Sequence, residues 1–306
     1  MFDQQMALSN VVAAPDRRVR SRAPHRLARR EGERIRLLGQ LMDKVRPEEV
    51  MHQLETWVEA EVKAVIANHN LHSLHLVRTE PRLAEFYSCA DLIQIDSTPL
   101  VAFGRLVGRG TRRKHRSTYL DWREHFWSLA DRKGWRVMFI GGAEGVADAA
   151  AERLRARHGR VDLAVRPGYF DATPGSEDNR RLVAEVTEFA PQVLMVGMGM
   201  PRQEIWITQN FEALPDCAIF SVGAAFDYEA GVQKSAPRWM GKAGVEWLYR
   251  LAADPKRLFR RYCVEPWSLL DLIYDDLASA AKRRLKAVRK GAVLPPVGSE
   301  AHPGRR

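Results

Sequence analysis

Apolar positions along this chain fall into two kinds of segment. Short, nearly unbroken apolar runs predict strands at 34–38, 62–67, 91–95, 135–140, 161–165, 192–196 and 218–222. Between most of them, apolar residues recur at helical spacing over about 47–60, 98–108, 119–133, 143–158, 176–189 and 201–213. Strands alternating with helices of this length predict an α/β fold: a Rossmann-like, mostly parallel sheet with helices on both faces. The last strands are apolar throughout, as strands covered on both faces are.

After Asp227 the pattern changes. Residues 231–240 read as a loop. Gly244–Leu251, Pro255–Tyr262 and an apolar–acidic stretch to about Ser279 then predict a C-terminal helical appendage. It is aromatic (Trp239, Trp247, Tyr249, Phe259, Tyr262, Trp267) and basic (Arg250, Lys256, Arg257, Arg260, Arg261). The organisation read from the chain is a flexible basic extension over 1–31, a core over 32–235, the appendage over 236–280 and a basic disordered tail over 281–306.

With 306 residues, 45% hydrophobic and 28% charged, the chain has ample material for a core. Cys89, Cys217 and Cys263 have no CxxC spacing and read as thiols. His69, His72 and His75 cluster without an acid or cysteine among them, so no metal cage is expected. No run of eighteen apolar residues predicts a membrane span, and the first residues lack a secretory pattern; the expected location is cytoplasmic. The net charge of +10 is concentrated at the ends: residues 17–30 hold seven arginines, residues 282–290 six Lys/Arg, and neither stretch an acid. Solvated tails and contact with an anionic membrane surface both fit. No nucleic-acid motif accompanies the charge, and no nucleic-acid partner is expected.

Candidate chemistry gathers where strands end. Gly141-Gly142, Gly168-Tyr169-Phe170, Gly197-Met-Gly199 and Gly223 follow predicted strands. Ligands bind at carboxyl ends of parallel strands, and glycines let backbone amides approach them. Pro201, Gln203 and Glu204 open a helix, whose N-terminus favours anions such as a nucleotide diphosphate; dipole compensation explains the acid equally. Asp96 ends a strand, where a carboxylate serves as a general base or as a helix cap. Asn68 and Asn70 suit a sugar or phosphate, or simple turn chemistry. Asp227 suits a ligand hydroxyl or a loop cap. An oxidoreductase on such a sheet predicts GxGxxG with an acid about twenty residues on, and neither occurs.

Residues 34–265 resemble the WecG/TagA/CpsF family of bacterial glycosyltransferases. The likeness is carried by Gly141-Gly142, Pro167–Phe170, Gly197–Glu204, Val222–Asp227, Ala236–Met240, Glu246–Arg250 and Pro255–Tyr262. It implies a core that binds a UDP-sugar (UDP-ManNAc-like, UDP-hexuronate or UDP-glucose). It implies inverting transfer to a polyprenyl-diphosphate-linked saccharide in cell-envelope or exopolysaccharide synthesis, at the inner face of the cell membrane. It assigns the general base to Asp96 and catalytic roles to Asn70, Gln203, Arg250, Arg257 and Arg260. Nucleotide-sugar contacts are implied for Asn68, Gly141, Gly142, Gly168, Tyr169, Phe170, Gly197, Gly199, Pro201, Gln203, Glu204, Gly223 and Asp227. No DxD-type pair stands near a strand end, which fits a reaction without a metal cofactor. Three segments depart from the family pattern: Asp96-Ser-Thr-Pro where Asp-Gly-x-Gly is usual, Asn68 where threonine is usual, and Arg116–Asp121 where Thr-Gly-x-Asp-Leu is usual. An inactive nucleotide-sugar-binding relative and a homo-oligomer both stay open at this level.

Overall fold

The computed structural model describes residues 32–233, Pro237, Met240 and residues 245–289, the side chains of Glu246, Arg257 and Ala287 excepted. The extension assigned to 1–31, the residues beyond 289 and Trp239 lie outside the described residues. The described chain begins with an antiparallel hairpin, β1 (Arg34–Leu37) and β2 (Gln40–Asp43). Buried Asp43 fixes this hairpin to the sheet, pairing with Arg34 at 2.8 Å and accepting from the Ile93 amide at 2.7 Å. There follow α1 (Pro47–Glu59), β3 (Ala64–His69), α2 (Leu71–Thr79), α3 (Pro81–Cys89), β4 (Leu92–Ile95) and α4 (Thr98–Leu106). Next come α5 (Tyr119–Lys133), β5 (Arg136–Gly141), α6 (Val146–Arg157), β6 (Asp162–Arg166) and α7 (Glu177–Phe189). The core closes with β7 (Val193–Gly197), α8 (Arg202–Asn210), β8 (Ala218–Ser221) and the short α9 (Ala225–Glu229).

Six strands make one sheet in the order β4-β3-β8-β7-β5-β6, every pair parallel. Side chains alternate across a strand, so each strand feeds two cores. Ile66, Phe139, Met195 and Phe220 pack beneath α1, α5 and α6 with Trp57, Phe126 and Ala150. Their neighbours Ala67, Ile140, Val196 and Ile219 pack on the opposite face with Phe86, Leu182 and Trp206 of α3, α7 and α8. The sheet is therefore Rossmann-like and helix-covered on both faces.

The appendage follows as α10 (Glu246–Ala253), α11 (Pro255–Phe259), a π-helical turn over Arg260–Val264, a 3-10 turn over Glu265–Leu269 and α12 (Leu270–Arg289). The disordered tail assigned from residue 281 needs correction: α12 runs to Arg289, where Lys286 and Arg289 in its last turn complement the helix dipole. A third core joins this helix to the hairpin and α4, through Leu37, Met42, Leu100, Leu269 and Leu272. The Leu38 amide donates to Asp276 Oδ2 at 2.7 Å across the same contact.

Candidate active site

Strand ends and the appendage enclose a cleft of about 840 Å³, within the range of small-molecule sites. Its floor is a row of glycines. Gly168, Gly141, Gly197 and Gly223 follow one another in the spatial order of β6, β5, β7 and β8. A Cβ on Gly141 would stand 2.4 Å from the Gly197 carbonyl oxygen, and one on Gly197 would stand 2.4 Å from that of Gly223. Only glycine lets these strand ends come so close.

Gln203, in the first turn of α8, holds the floor's loops together. Its Oε1 accepts from the amides of Gly199 and Gly223, each at 3.2 Å. Its Nε2 donates to Glu204 Oε1 at 2.6 Å. Glu204 is wholly buried, and burial pushes its carboxyl up to about 7 against the opposing hydrogen bond from Gln203.

On the opposite wall stands Asp96, whose amide donates to the His69 carbonyl at 2.9 Å. The residue that caps α4 is Ser97, whose Oγ accepts from the Leu100 amide at 3.5 Å. That settles the cap to the serine and leaves the Asp96 side chain on the cleft wall. Asn70 caps α2, its Oδ1 accepting from the Ser73 amide at 3.0 Å, while also lining the cleft. Asn68 Nδ2 donates to the Ser221 carbonyl at 2.8 Å across β3 and β8. Among the described residues, the buried Asn68 Oδ1 and Ser221 Oγ have no hydrogen-bond partner, and both residues line the cleft. Such atoms are where a polar ligand finds its hydrogen bonds. Beneath them His69 stacks on Tyr87 at 3.8 Å between ring centres, and burial pushes its imidazole down to about 3, so it stays neutral.

The appendage forms the roof. Arg250 Nη2 donates to the Tyr228 hydroxyl at 2.8 Å, one residue beyond Asp227. Arg260 and Arg261 both reach the cleft. Burial holds Arg261 below its ordinary value, with Arg250 acting the same way and Tyr262, Asp96 and Glu265 opposing. His72 of α2 meets Glu265 at 2.5 Å.

Of the site residues singled out from sequence whose side chains are described, all line this cleft except Gly141, Phe170, Pro201 and Glu204. Gly141 holds its place in the glycine row, against Gly197 and Gly168, without lining the cleft itself. Phe170 packs edge-on against Trp206 at 6.5 Å, with the Arg202 guanidinium 5.2 Å above its ring. Pro201 and Glu204 sit behind the helix start, where Glu204 acts on the cleft through Gln203. The side chain of Arg257 lies outside the described residues. Sequence reading missed His72, Gln94, Ser117, Tyr228 and Glu265, which come to the cleft by tertiary packing. Ser117, which donates to Gln94 Oε1 at 2.5 Å, carried one signal: it falls in the segment that departs from the family pattern. Among the described residues, no group of three His, Cys, Asp or Glu is placed to hold a metal ion.

A strand-end cleft with a glycine floor and an arginine-bearing roof suits a diphosphate. Residues 35–283 match the family described as "Glycosyl transferase WecG/TagA/CpsF family". The chain belongs to this family. Similar proteins include the N-acetylglucosaminyldiphosphoundecaprenol N-acetyl-beta-D-mannosaminyltransferases of Staphylococcus aureus strains NCTC 8325 / PS 47 and COL. Each is 25% identical over 237 residues, which cover 74% of this chain and 88% of the relative. In this WecG/TagA/CpsF glycosyl transferase, the match spans the hairpin, the sheet, the cleft and most of α12, so the roof is part of the family's shared body.

Proposed function

We propose that this glycosyl transferase moves a sugar from a UDP-sugar to a polyprenyl-diphosphate-linked saccharide, with inversion, in the synthesis of a bacterial surface polysaccharide. The similar proteins named above act, by their names, on a diphosphoundecaprenol-linked sugar. One observation carries the reading: Ser97 takes over the cap of α4, so Asp96 faces a cleft whose floor is built of glycines and whose roof offers arginines. Asp96 takes the proton from the acceptor hydroxyl as its oxygen attacks the anomeric carbon. The bond from that carbon to the diphosphate oxygen breaks, and UDP departs with the electron pair. Fixed donors aimed at a leaving group that gains negative charge lower the barrier. Arg250 and Arg260 are the charged donors, and the amide of Gly142 is a neutral one. On this reading arginine supplies the charge that a divalent metal supplies in other transferases, and no metal cofactor is required. The protein works at the cytoplasmic face of the membrane as a peripheral protein; among the described residues no helix is long and apolar enough to cross it.

The test is turnover of a UDP-sugar panel with a short polyprenyl-diphosphate-sugar acceptor. Asp96→Asn should lose roughly 10²–10⁴-fold in rate, the contribution of a positioned base, while UDP still binds. Near-normal turnover in that variant would remove Asp96 from the mechanism. Activity should persist in excess EDTA; a loss that magnesium restores would end the metal-independent version.

A further inference from the structure

Between α4 and α5 runs a segment that the catalytic reading leaves unused. Residues 105–116 contain six Lys/Arg and no Asp or Glu. Two of these cations are matched: Arg109 meets Asp276 at 3.5 Å and Arg116 meets Asp121 at 2.9 Å. Arg105, Arg112, Arg113 and Lys114 are exposed, and among the described residues none of the four has a carboxylate partner. Lys44 joins them from the hairpin side, donating to the Arg109 carbonyl at 3.1 Å. The shared field is felt at His115, pushed down to about 4 by burial first and then by Lys114, Lys44 and Arg112, against Glu49.

The C-terminal half of α12 lies along the same segment. Arg283 donates to the Val107 carbonyl at 3.1 Å and Arg284 to that of Leu106 at 3.3 Å. Beside these anchors, Leu106, Leu285 and Val288 are exposed at 47%, 62% and 61%. Lys282, Lys286 and Arg289 are exposed on the same stretch of helix. Aliphatic groups set among unmatched cations are what an anionic lipid surface accommodates: headgroups neutralise the charge and the acyl boundary takes the aliphatic side chains. A nucleic-acid backbone would satisfy the cations and leave those aliphatic groups in water.

The far end of the segment leads into the cleft. The Ser117 amide donates to the Ile95 carbonyl at 3.0 Å, and Arg116, Ser117 and Thr118 line the wall beside Asp96.

We propose that the 105–114 segment, with the adjoining half of α12, is the surface by which this protein docks on an anionic bilayer, turning the Asp96 side of the cleft toward the headgroups. The orientation rests on the reading that the acceptor is lipid-linked; the docking surface does not. A lipid-linked acceptor then meets the cleft wall that carries the base without leaving the bilayer.

The experiment is sedimentation of the full chain with phosphatidylcholine vesicles, with and without phosphatidylglycerol, over a salt series. The wild type should bind only vesicles containing the acidic lipid, and less as salt screens the charges. The triple variant Arg112→Glu, Arg113→Glu, Lys114→Glu should bind them roughly tenfold or more weakly. The pair Leu285→Ser, Val288→Ser should weaken binding at high salt, where the aliphatic contact carries more of it. Because every altered side chain is exposed, the thermal melt should be unchanged, and transfer to a water-soluble short-chain acceptor should be retained. Transfer to an acceptor embedded in acidic vesicles should fall in the triple variant. Vesicle binding equal in the triple variant and wild type would overturn the proposal. So would no binding to acidic vesicles, or tighter binding to duplex DNA than to vesicles at the same salt. Segment-dependent vesicle binding by a protein that transfers no sugar would uphold the docking surface and sink the functional reading.

Discussion

His72 and Glu265, 193 residues apart in the chain, meet at 2.5 Å where α2 touches the appendage. The same offset recurs twice along the seam: His75 Nδ1 lies 2.8 Å from Ser268 Oγ, and Arg78 meets Asp271 at 2.5 Å. A constant offset at a spacing of three means that two helical segments run side by side in the same direction. The seam begins two residues after Asn70 on one side and four after Arg261 on the other, so it sets where the roof stands over the cleft.

Cutting the seam should therefore show in catalysis before it shows in stability. His72→Ala and Glu265→Gln should each lower kcat/KM by roughly tenfold, a loss of about 1.4 kcal/mol in transition-state binding. The exposed pair should matter less: Arg78→Ala, whose partner Asp271 is exposed, should change kcat/KM by under about threefold. Steady-state kinetics beside thermal melts check this. Equal effects at the buried and exposed rungs would show that the seam does not position the roof.

Glu204 predicts a pH effect with a definite sign. Its folded value of about 7 stands above the ordinary 4.5, so burial carries no ionisation penalty below pH 4.5 and a growing one as pH rises through about 7. A gap of that size corresponds to roughly 3 kcal/mol. Glu204→Gln keeps an acceptor for Gln203 Nε2 and removes the charge. The variant should gain stability relative to wild type at pH 8 and not at pH 4.5, with donor KM nearly unchanged. Glu204→Ala should raise KM, because Gln203 loses the partner that points its Oε1 at Gly199 and Gly223. Melting curves across pH, with KM for each variant, decide it; a melting difference that does not vary with pH would refute the account.

The glycine floor predicts a strict size limit. Gly197→Ala would press a methyl group 2.4 Å from the Gly223 carbonyl and 2.7 Å from the Phe139 ring. Overpacking of this kind typically costs about 1–3 kcal/mol, and the shift falls on the cleft floor. Melting temperature should drop and donor KM rise together. Gly159→Ala is the control, since a Cβ there meets nothing within 4 Å. A Gly197→Ala enzyme with normal donor KM would show that the floor does not touch the donor.

Much of the fold was legible because burial on two faces leaves a plain mark. Each of the six sheet strands was expected within two residues of its observed ends, and α5 was expected at its observed bounds, 119–133. The elements that were missed carry weak local signals. Strand β2 has four residues and pairs only with β1. Helix α2 reads Leu71-His-Ser-Leu-His-Leu-Val-Arg-Thr79, with five residues of middling helix propensity against four good ones. Asn70 capping and the seam against the appendage hold it.

Which residue caps α4 was open between Asp96 and its neighbours until Ser97 was seen to take the cap, because adjacent residues of similar capping ability differ only in where their side chains point.

The sequence by itself determined the alternation of strands and helices, the glycines at strand ends and the family motifs, since these depend on local periodicity and on residues a few positions apart. Tertiary structure alone decided that Gly168, Gly141, Gly197 and Gly223 form one row, that Glu204 lies beneath the cleft and that His72 faces Glu265. Only it set the cations of 105–114 beside the exposed face of α12. Each of these joins residues far apart in the chain, and such neighbours are chosen by packing the whole sheet, hairpin and appendage together, which no local pattern encodes.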